Sequence, residues 1–259
     1  MNSIRRGSGK PLLLVHGLGA TWRSWDPILP ALAASREVIA VDLPGFGETP
    51  PLAGEVSIAT LADAVTAFLK EQNLLRVDLV GSSMGARLVV ELARRGVGGA
   101  TVALAPGGFW SPGQLRFFNA SLQASIRLMR LLQPVMPAIT GSPVGRALLL
   151  SQLSARPWAL SADLALREMR SYAQAPSFDA ALHSLVHGPT QEGAPAGSLP
   201  GPLVIGWGRK DRVLLPSQAK RATQLFPDAK LHWFDRSGHF PQWDEPQETV
   251  ELILRSTGS

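Results

Sequence analysis

The chain has 259 residues, 45% of them hydrophobic and 17% charged, and so much apolar surface offsets the entropy of ordering, which excludes intrinsic disorder. Without a single cysteine, it has no disulfide scaffold, no thiolate nucleophile and no cysteine-ligated zinc site. The formal net charge is +5, but Arg and Lys stand singly or in pairs (Arg5-Arg6, Arg94-Arg95, Lys220-Arg221), and the lack of any block of like charge argues against a nucleic-acid partner.

The length fits one large α/β domain or a core with an appended lid. The polar start is followed by an apolar run at 12–15 that is too short for a signal-peptide core. The most apolar stretch, 126–150, is interrupted by Arg127, Arg130, Pro134, Pro137 and Arg146, so no membrane insertion is expected and the protein reads as cytoplasmic. Short β-rich runs at 11–15, 37–41, 76–80, 99–104, 202–206 and 230–234 alternate with helical patterns at 25–34, 58–72, 84–95, 217–226 and 246–255. This βαβα order predicts an α/β fold, a doubly wound and mostly parallel sheet buried on both faces. Ligands of such sheets bind beyond the carboxyl ends of the strands.

The stretch 109–200 breaks the alternation with helical patterning and no strand. Leu122, Ile126, Met129, Leu132 and Met136 share one helical face there, with Arg127 and Arg130 turned away. We read it as a helical lid that ends in a Gly/Ala/Pro-rich return loop. The expected organisation is therefore a first core part at 1–108, the lid at 109–200 and a second core part at 201–259.

Four strand ends carry chemistry. After the run at 76–80 comes Gly81-Ser82-Ser83-Met84-Gly85 and then a helical pattern. A serine at the tip of a tight strand-to-helix turn needs glycines on both sides, and its Oγ then projects into the crevice at a helix N-terminus. A GxSxG string alone is weak in a chain with 25 glycines; the flanking strand and helix are what favour Ser83 as a nucleophile. The loop His16-Gly17-Leu18-Gly19 also follows a strand and either forms a plain turn or offers inward amides beside a substrate carbonyl. The amides of Leu18 and Met84 are the expected oxyanion donors, each worth about 2.7–4 kcal/mol in the transition state. Late in the chain, Gly208-Arg209-Lys210-Asp211 and Gly238-His239 follow successive strands. Asp211 and His239 can then converge on Ser83 as orienting acid and general base.

Together these motifs, with Asp42-Leu43-Pro44-Gly45-Phe46-Gly47 and His239-Phe240, resemble the α/β-hydrolase superfamily over nearly the whole chain. The resemblance implies a serine hydrolase without a cofactor acting on a small-molecule ester, and it makes 42–47 a structural turn at the pocket rim. Only about ten residues precede the first parallel strand, so the antiparallel hairpin usual at that edge is expected to be short or missing.

Several rivals are weighed against this reading. Ser82 lacks the glycine pattern, Asp235 reads as a strand-end or surface residue, and His183, His187 and His232 read as structural or solvent-facing. No metal-ligand spacing occurs. Gly17, Phe109, Trp110 and Phe240 are expected beside the substrate. Phe109, Trp110, Phe117, Phe118 and the 122–136 face either line an acyl pocket or pack the lid on the core, and Arg167 and Arg170 are solvated helix residues or forks for a substrate carboxylate. The alternatives to an esterase are a C–C bond hydrolase of meta-cleavage-type diketones, a lactonase or a perhydrolase. Serine before Ser83 and phenylalanine after His239 depart from the meta-cleavage pattern. A ligand receptor on the same fold is the non-enzymatic alternative. The oligomeric state is not readable.

Overall fold

The structure, a computed structural model, describes residues 1–258. The first half contains β1 (Ser3–Arg6), β2 (Pro11–Val15), α1 (Leu29–Ala33), β3 (Glu37–Val41), α2 (Ile58–Glu71), β4 (Asp78–Ser82), α3 (Met84–Arg94) and β5 (Thr101–Leu104). A run of helices follows: α4 (Pro112–Leu131), α5 (Met136–Gly141), α6 (Pro143–Leu149), α7 (Ala162–Gln174) and α8 (Phe178–His187). The chain then returns with β6 (Leu203–Gly208), α9 (Ala219–Leu225), β7 (Lys230–Phe234), α10 (Pro241–Asp244) and α11 (Pro246–Thr257).

The seven strands form one sheet in the order β1-β3-β2-β4-β5-β6-β7, parallel except for β1. Residue alternation explains why both faces are covered. Leu13 and Val15 of β2 point into one apolar cluster with α2, α3 and the helical run, while Leu12 and Leu14 join Trp25, Leu29 and Ile253 on the other face. The chain steps from β2 outward to β3 and then back past β2 to β4. Their register sets Val15 opposite Gly81, so the crevice of this switch point opens between the ends of β2 and β4.

At the opposite end, Arg36 ties the strand starts together. Its buried guanidinium donates to Asp78 Oδ2 at 2.6 Å, to the carbonyls of Lys10 and Pro11, and to Thr257 Oγ1. Asp78 also accepts from the Ala100 amide and pairs with Lys10.

The antiparallel edge is short rather than missing: β1 pairs with β3 over four residues. Its sequence, Ser-Ile-Arg-Arg, contains one apolar residue and is half exposed, too little pattern to be read as a strand. The helix expected over 25–34 is split into a 3-10 turn (Trp22–Trp25) and the short α1, because Pro27 and Pro30 cannot donate the amide bonds of a continuous helix. Among the described residues no helix is long and apolar enough to cross a membrane, and no group of His, Asp and Glu could hold a metal ion.

Candidate active site

Gly81 and Gly85 are dictated by space. A Cβ on Gly81 would run into the Gly85 carbonyl, and one on Gly85 would run into the carbonyls of Val15 and His16. With that close approach secured, β4 turns straight into α3 through Ser83, whose φ of 56° and ψ of −116° lie where a side chain is strained. The turn pushes Ser83 Oγ out at the start of α3.

The structure brings Ser83, His239 and Asp211 together. Ser83 Oγ lies 2.8 Å from His239 Nε2, and His239 Nδ1 lies 2.9 Å from Asp211 Oδ2. The other Asp211 oxygen accepts the amides of Val213 and Leu214 at 2.8 and 2.9 Å, so the carboxylate is held on both sides. An ionised Asp211 accepts only, which puts the proton on His239 Nδ1 and leaves Nε2 to accept from the Ser83 hydroxyl. The His239 loop is itself braced. Its amide donates to the Leu153 carbonyl at 2.9 Å, Gly238 donates to Asp244 Oδ2, and Ser237 Oγ donates to Glu245.

The loop after β2 is organised by His16. Burial holds its imidazole below the usual histidine range, in the neutral form. Nδ1 lies 2.7 Å from the Gly17 carbonyl and Nε2 accepts the Leu43 amide at 3.0 Å. Because the carbonyl and the following N–H of a trans peptide point opposite ways, fixing the Gly17 oxygen on His16 turns the Leu18 amide away from it. Among the described residues, neither the Leu18 nor the Met84 amide donates to a protein acceptor. Gly17 lies against the serine, since a Cβ there would come within 3.1 Å of Ser83 Cβ. Two residues on, the Gly19 carbonyl accepts from Ser171 Oγ of α7 at 2.6 Å.

The cavity over Ser83 and His239 is lined by Leu18, Val213 and Phe240 from the core, Phe118, Leu122, Ile126 and Met129 from α4, and Tyr172, Phe178 and Leu185 from α7 and α8. Ser125, Gln152 and Leu153 complete it, and no Lys, Arg, Asp or Glu is among these residues. Two residues expected here lie elsewhere. Phe109 packs edge-on against Phe226, and Trp110 stacks on Phe118 with ring centres 5.0 Å apart, so both are buried behind the wall. Phe117 faces solvent, and Leu132 and Met136 pack in the core. The Met84 side chain borders a separate small void with Val56 and Leu61. Arg167 is paired with Asp26 at 2.7 Å and with Asp163. With Arg170 and the 42–48 turn it borders a second, polar hollow that contains neither Ser83 nor His239.

The rivals also find their places. Ser82 Oγ accepts from Gln242 Nε2 beneath the sheet end. Asp235 pairs with Arg209 at the surface, His232 bonds Glu248, and His183 and His187 sit exposed beside one another on α8. Asp42 accepts from Asn2, Trp22 and Glu48, which makes it a brace. Sequence reasoning missed Tyr172, Phe178, Leu185 and Ser171. Their helical spacing marks a buried face but not which cavity that face meets.

A model described as the alpha/beta hydrolase family matches residues 12–252. The chain is 28% identical over 262 residues to a 2-hydroxy-6-oxo-2,4-heptadienoate hydrolase of Pseudomonas putida, covering 95% of this chain and 88% of that one. Over 91 residues it is 46% identical to a pimeloyl-(acyl-carrier protein) methyl ester esterase of Aeromonas hydrophila, which covers 34% of each chain. A thermophilic esterase from Thermogutta terrifontis superposes with a TM-score of 0.76 at 19% identity, covering 100% of this chain and 94% of that one. At that identity the likeness speaks for the fold alone.

Proposed function

Because the chain belongs to the alpha/beta hydrolase family, we propose that it is a serine hydrolase that cleaves small to medium, apolar carboxylic esters through an acyl-enzyme. Residues 109–200 act as its lid. The observation that carries this reading is the chain of contacts from Ser83 Oγ through His239 to the doubly braced Asp211, opening on a cavity walled by apolar side chains.

In the first half-reaction Ser83 Oγ bonds to the ester carbonyl carbon as its proton passes to His239 Nε2. Asp211 stabilises the resulting imidazolium, and the Leu18 and Met84 amides donate to the developing oxyanion. Collapse breaks the C–O bond, and His239 returns the proton to the departing alkoxide. In the second half, His239 takes a proton from water, the hydroxide attacks the acyl carbon, and Ser83 leaves reprotonated with the acid as product. No cofactor enters this cycle.

The second reading is hydrolysis of a hydroxy-oxo-dienoate, favoured by the relative of that name that aligns with 95% of this chain. Such a substrate carries a carboxylate, and the cavity beside Ser83 offers it no Arg or Lys, so the apolar ester fits better. The test is a paired assay of the wild type and Ser83→Ala on p-nitrophenyl esters from acetate to dodecanoate. Turnover lost in the variant is the expected result. A wild type inert on every ester but active on a hydroxy-oxo-dienoate would transfer the assignment to the second reading. Failure of Ser83 to react with a fluorophosphonate in the folded protein would remove both.

A further inference from the structure

Among the described residues, eight large apolar side chains stand well exposed, and seven of them lie between 109 and 162: Phe117, Leu128, Leu131, Val135, Val144, Leu148 and Trp158. Leu131, Val144 and Leu148 are 75%, 67% and 77% exposed, so they protrude rather than line a groove. Large side chains normally hide such area, and clustering of this kind marks an interaction surface.

The charge in the same stretch is one-sided. Residues 109–162 contain five arginines (Arg116, Arg127, Arg130, Arg146 and Arg156) and no Asp or Glu. Arg146 is buried and serves the fold by donating to the Thr140 and Trp158 carbonyls. Arg116 and Arg127 are exposed and have no carboxylate partner among the described residues. On α4, Phe117, Leu128 and Leu131 fall within about 60° of one another at 3.6 residues per turn, and Arg116 and Arg127 border that stripe. The opposite face of the same helix supplies Phe118, Ile126 and Met129 to the wall of the Ser83 cavity. One helix thus separates an outward apolar stripe from an inward apolar pocket.

We propose that the outer face of residues 112–158 docks reversibly on an anionic lipid surface, with its apolar side chains in the interfacial layer and its arginines at the headgroups. Protruding Leu, Phe and Trp bordered by the unpaired Arg116 and Arg127, with Asp179 of α8 neutralised on Arg130 at 3.0 Å and no Asp or Glu within 109–162, is the chemistry that holds peripheral helices at an anionic bilayer. The arginine stems reach along apolar surface while their guanidinium groups stay with the phosphates. A flat acidic protein surface matches the charge but offers no layer for the protruding side chains to enter. This surface is independent of the bond that Ser83 cleaves.

The experiment is flotation of the full chain, as Ser83→Ala to silence turnover, with phosphatidylcholine vesicles with and without phosphatidylglycerol. Binding is expected to phosphatidylglycerol vesicles, to weaken in high salt, and to fall more than about tenfold in the Leu128→Ser/Leu131→Ser/Leu148→Ser variant. In an otherwise wild-type background these three changes are expected to leave hydrolysis of a soluble short ester within about twofold, since none of the residues lines the cavity. Three results would overturn the proposal. One is absence of flotation by folded protein, and another is undiminished flotation of the triple variant. The third is light scattering that shows a dimer abolished by the triple change without any vesicle binding, which would assign the face to a second copy of the chain.

Discussion

Glu168 on α7 offers a sharp test of the physical account, because its cost is electrostatic and depends on pH. The side chain is buried at 2% exposure, and one carboxyl oxygen has no partner. Burial pushes its pKa up to about 8 from 4.5, with Tyr172 and Arg167 opposing the shift. In the folded protein the carboxyl is therefore neutral across most of the range in which the unfolded chain ionises it. Below about pH 4.5 both states hold the proton and Glu168 contributes no pH dependence; above that, the unfolded state gains an ionisation that the folded state lacks, and stability falls by about 1.4 kcal/mol per pH unit until the folded pKa is reached. The accumulated loss near pH 8 is at most about 5 kcal/mol. Glu168→Gln keeps the shape and removes the titration. The variant should match the wild type near pH 4.5 apart from a constant offset and gain on it progressively toward pH 8. Urea unfolding of both proteins across that range measures the difference directly, and every other titrating group cancels in it. A difference that stays flat with pH would refute the reasoning, because it would mean that Glu168 is already ionised in the folded state.

Three further outcomes are expected. Asp211→Asn keeps the geometry but frees His239 to adopt the other tautomer, so kcat should fall by about 10³–10⁴-fold with little change in KM; steady-state kinetics on a p-nitrophenyl ester checks it. Ser171→Ala removes the bond that fixes the Gly19 carbonyl, and kcat is expected to drop by about tenfold, for about 1 kcal/mol of stability. Comparing its rate with its unfolding midpoint separates the two effects. Arg36→Met leaves Asp78 buried beside Lys10 alone and should cost about 3–5 kcal/mol, whereas Arg36→Met/Asp78→Leu, which removes both charges, should recover much of that loss in chemical denaturation.

The parallel strands were legible because they are short, β-rich runs separated by helical patterns, and the residues just past their ends, Ser83, Asp211 and His239, are the ones the sheet gathers. Edge strand β1 escaped because an exposed, half-paired strand needs no apolar pattern. Phe109 and Trp110 were expected at the substrate since large aromatics beside the crevice look alike from the sequence, whether they face the cavity or stand behind it. The split depends on where Phe109 meets Phe226 and Trp110 meets Phe118 of α4, and no local spacing encodes that. Ser171 was invisible for a related reason. Its partner is a backbone carbonyl 152 positions away, an atom that every residue type carries and no side-chain pattern marks.

The helical stretch between β5 and β6 holds two loops of the core at once, the Gly19 carbonyl through Ser171 and the His239 amide through Leu153. On the proposed mechanism, its seating and the alignment of Ser83 and His239 are therefore coupled, and a substrate that wedged the helices apart would disturb the groups proposed to act on it. For anyone who would retool this protein by transplanting helices from a relative, the graft must bring its own hydroxyl and carbonyl to those two points. A transplant chosen only for the shape of its inner wall would leave the Gly19 carbonyl and the His239 amide without those partners.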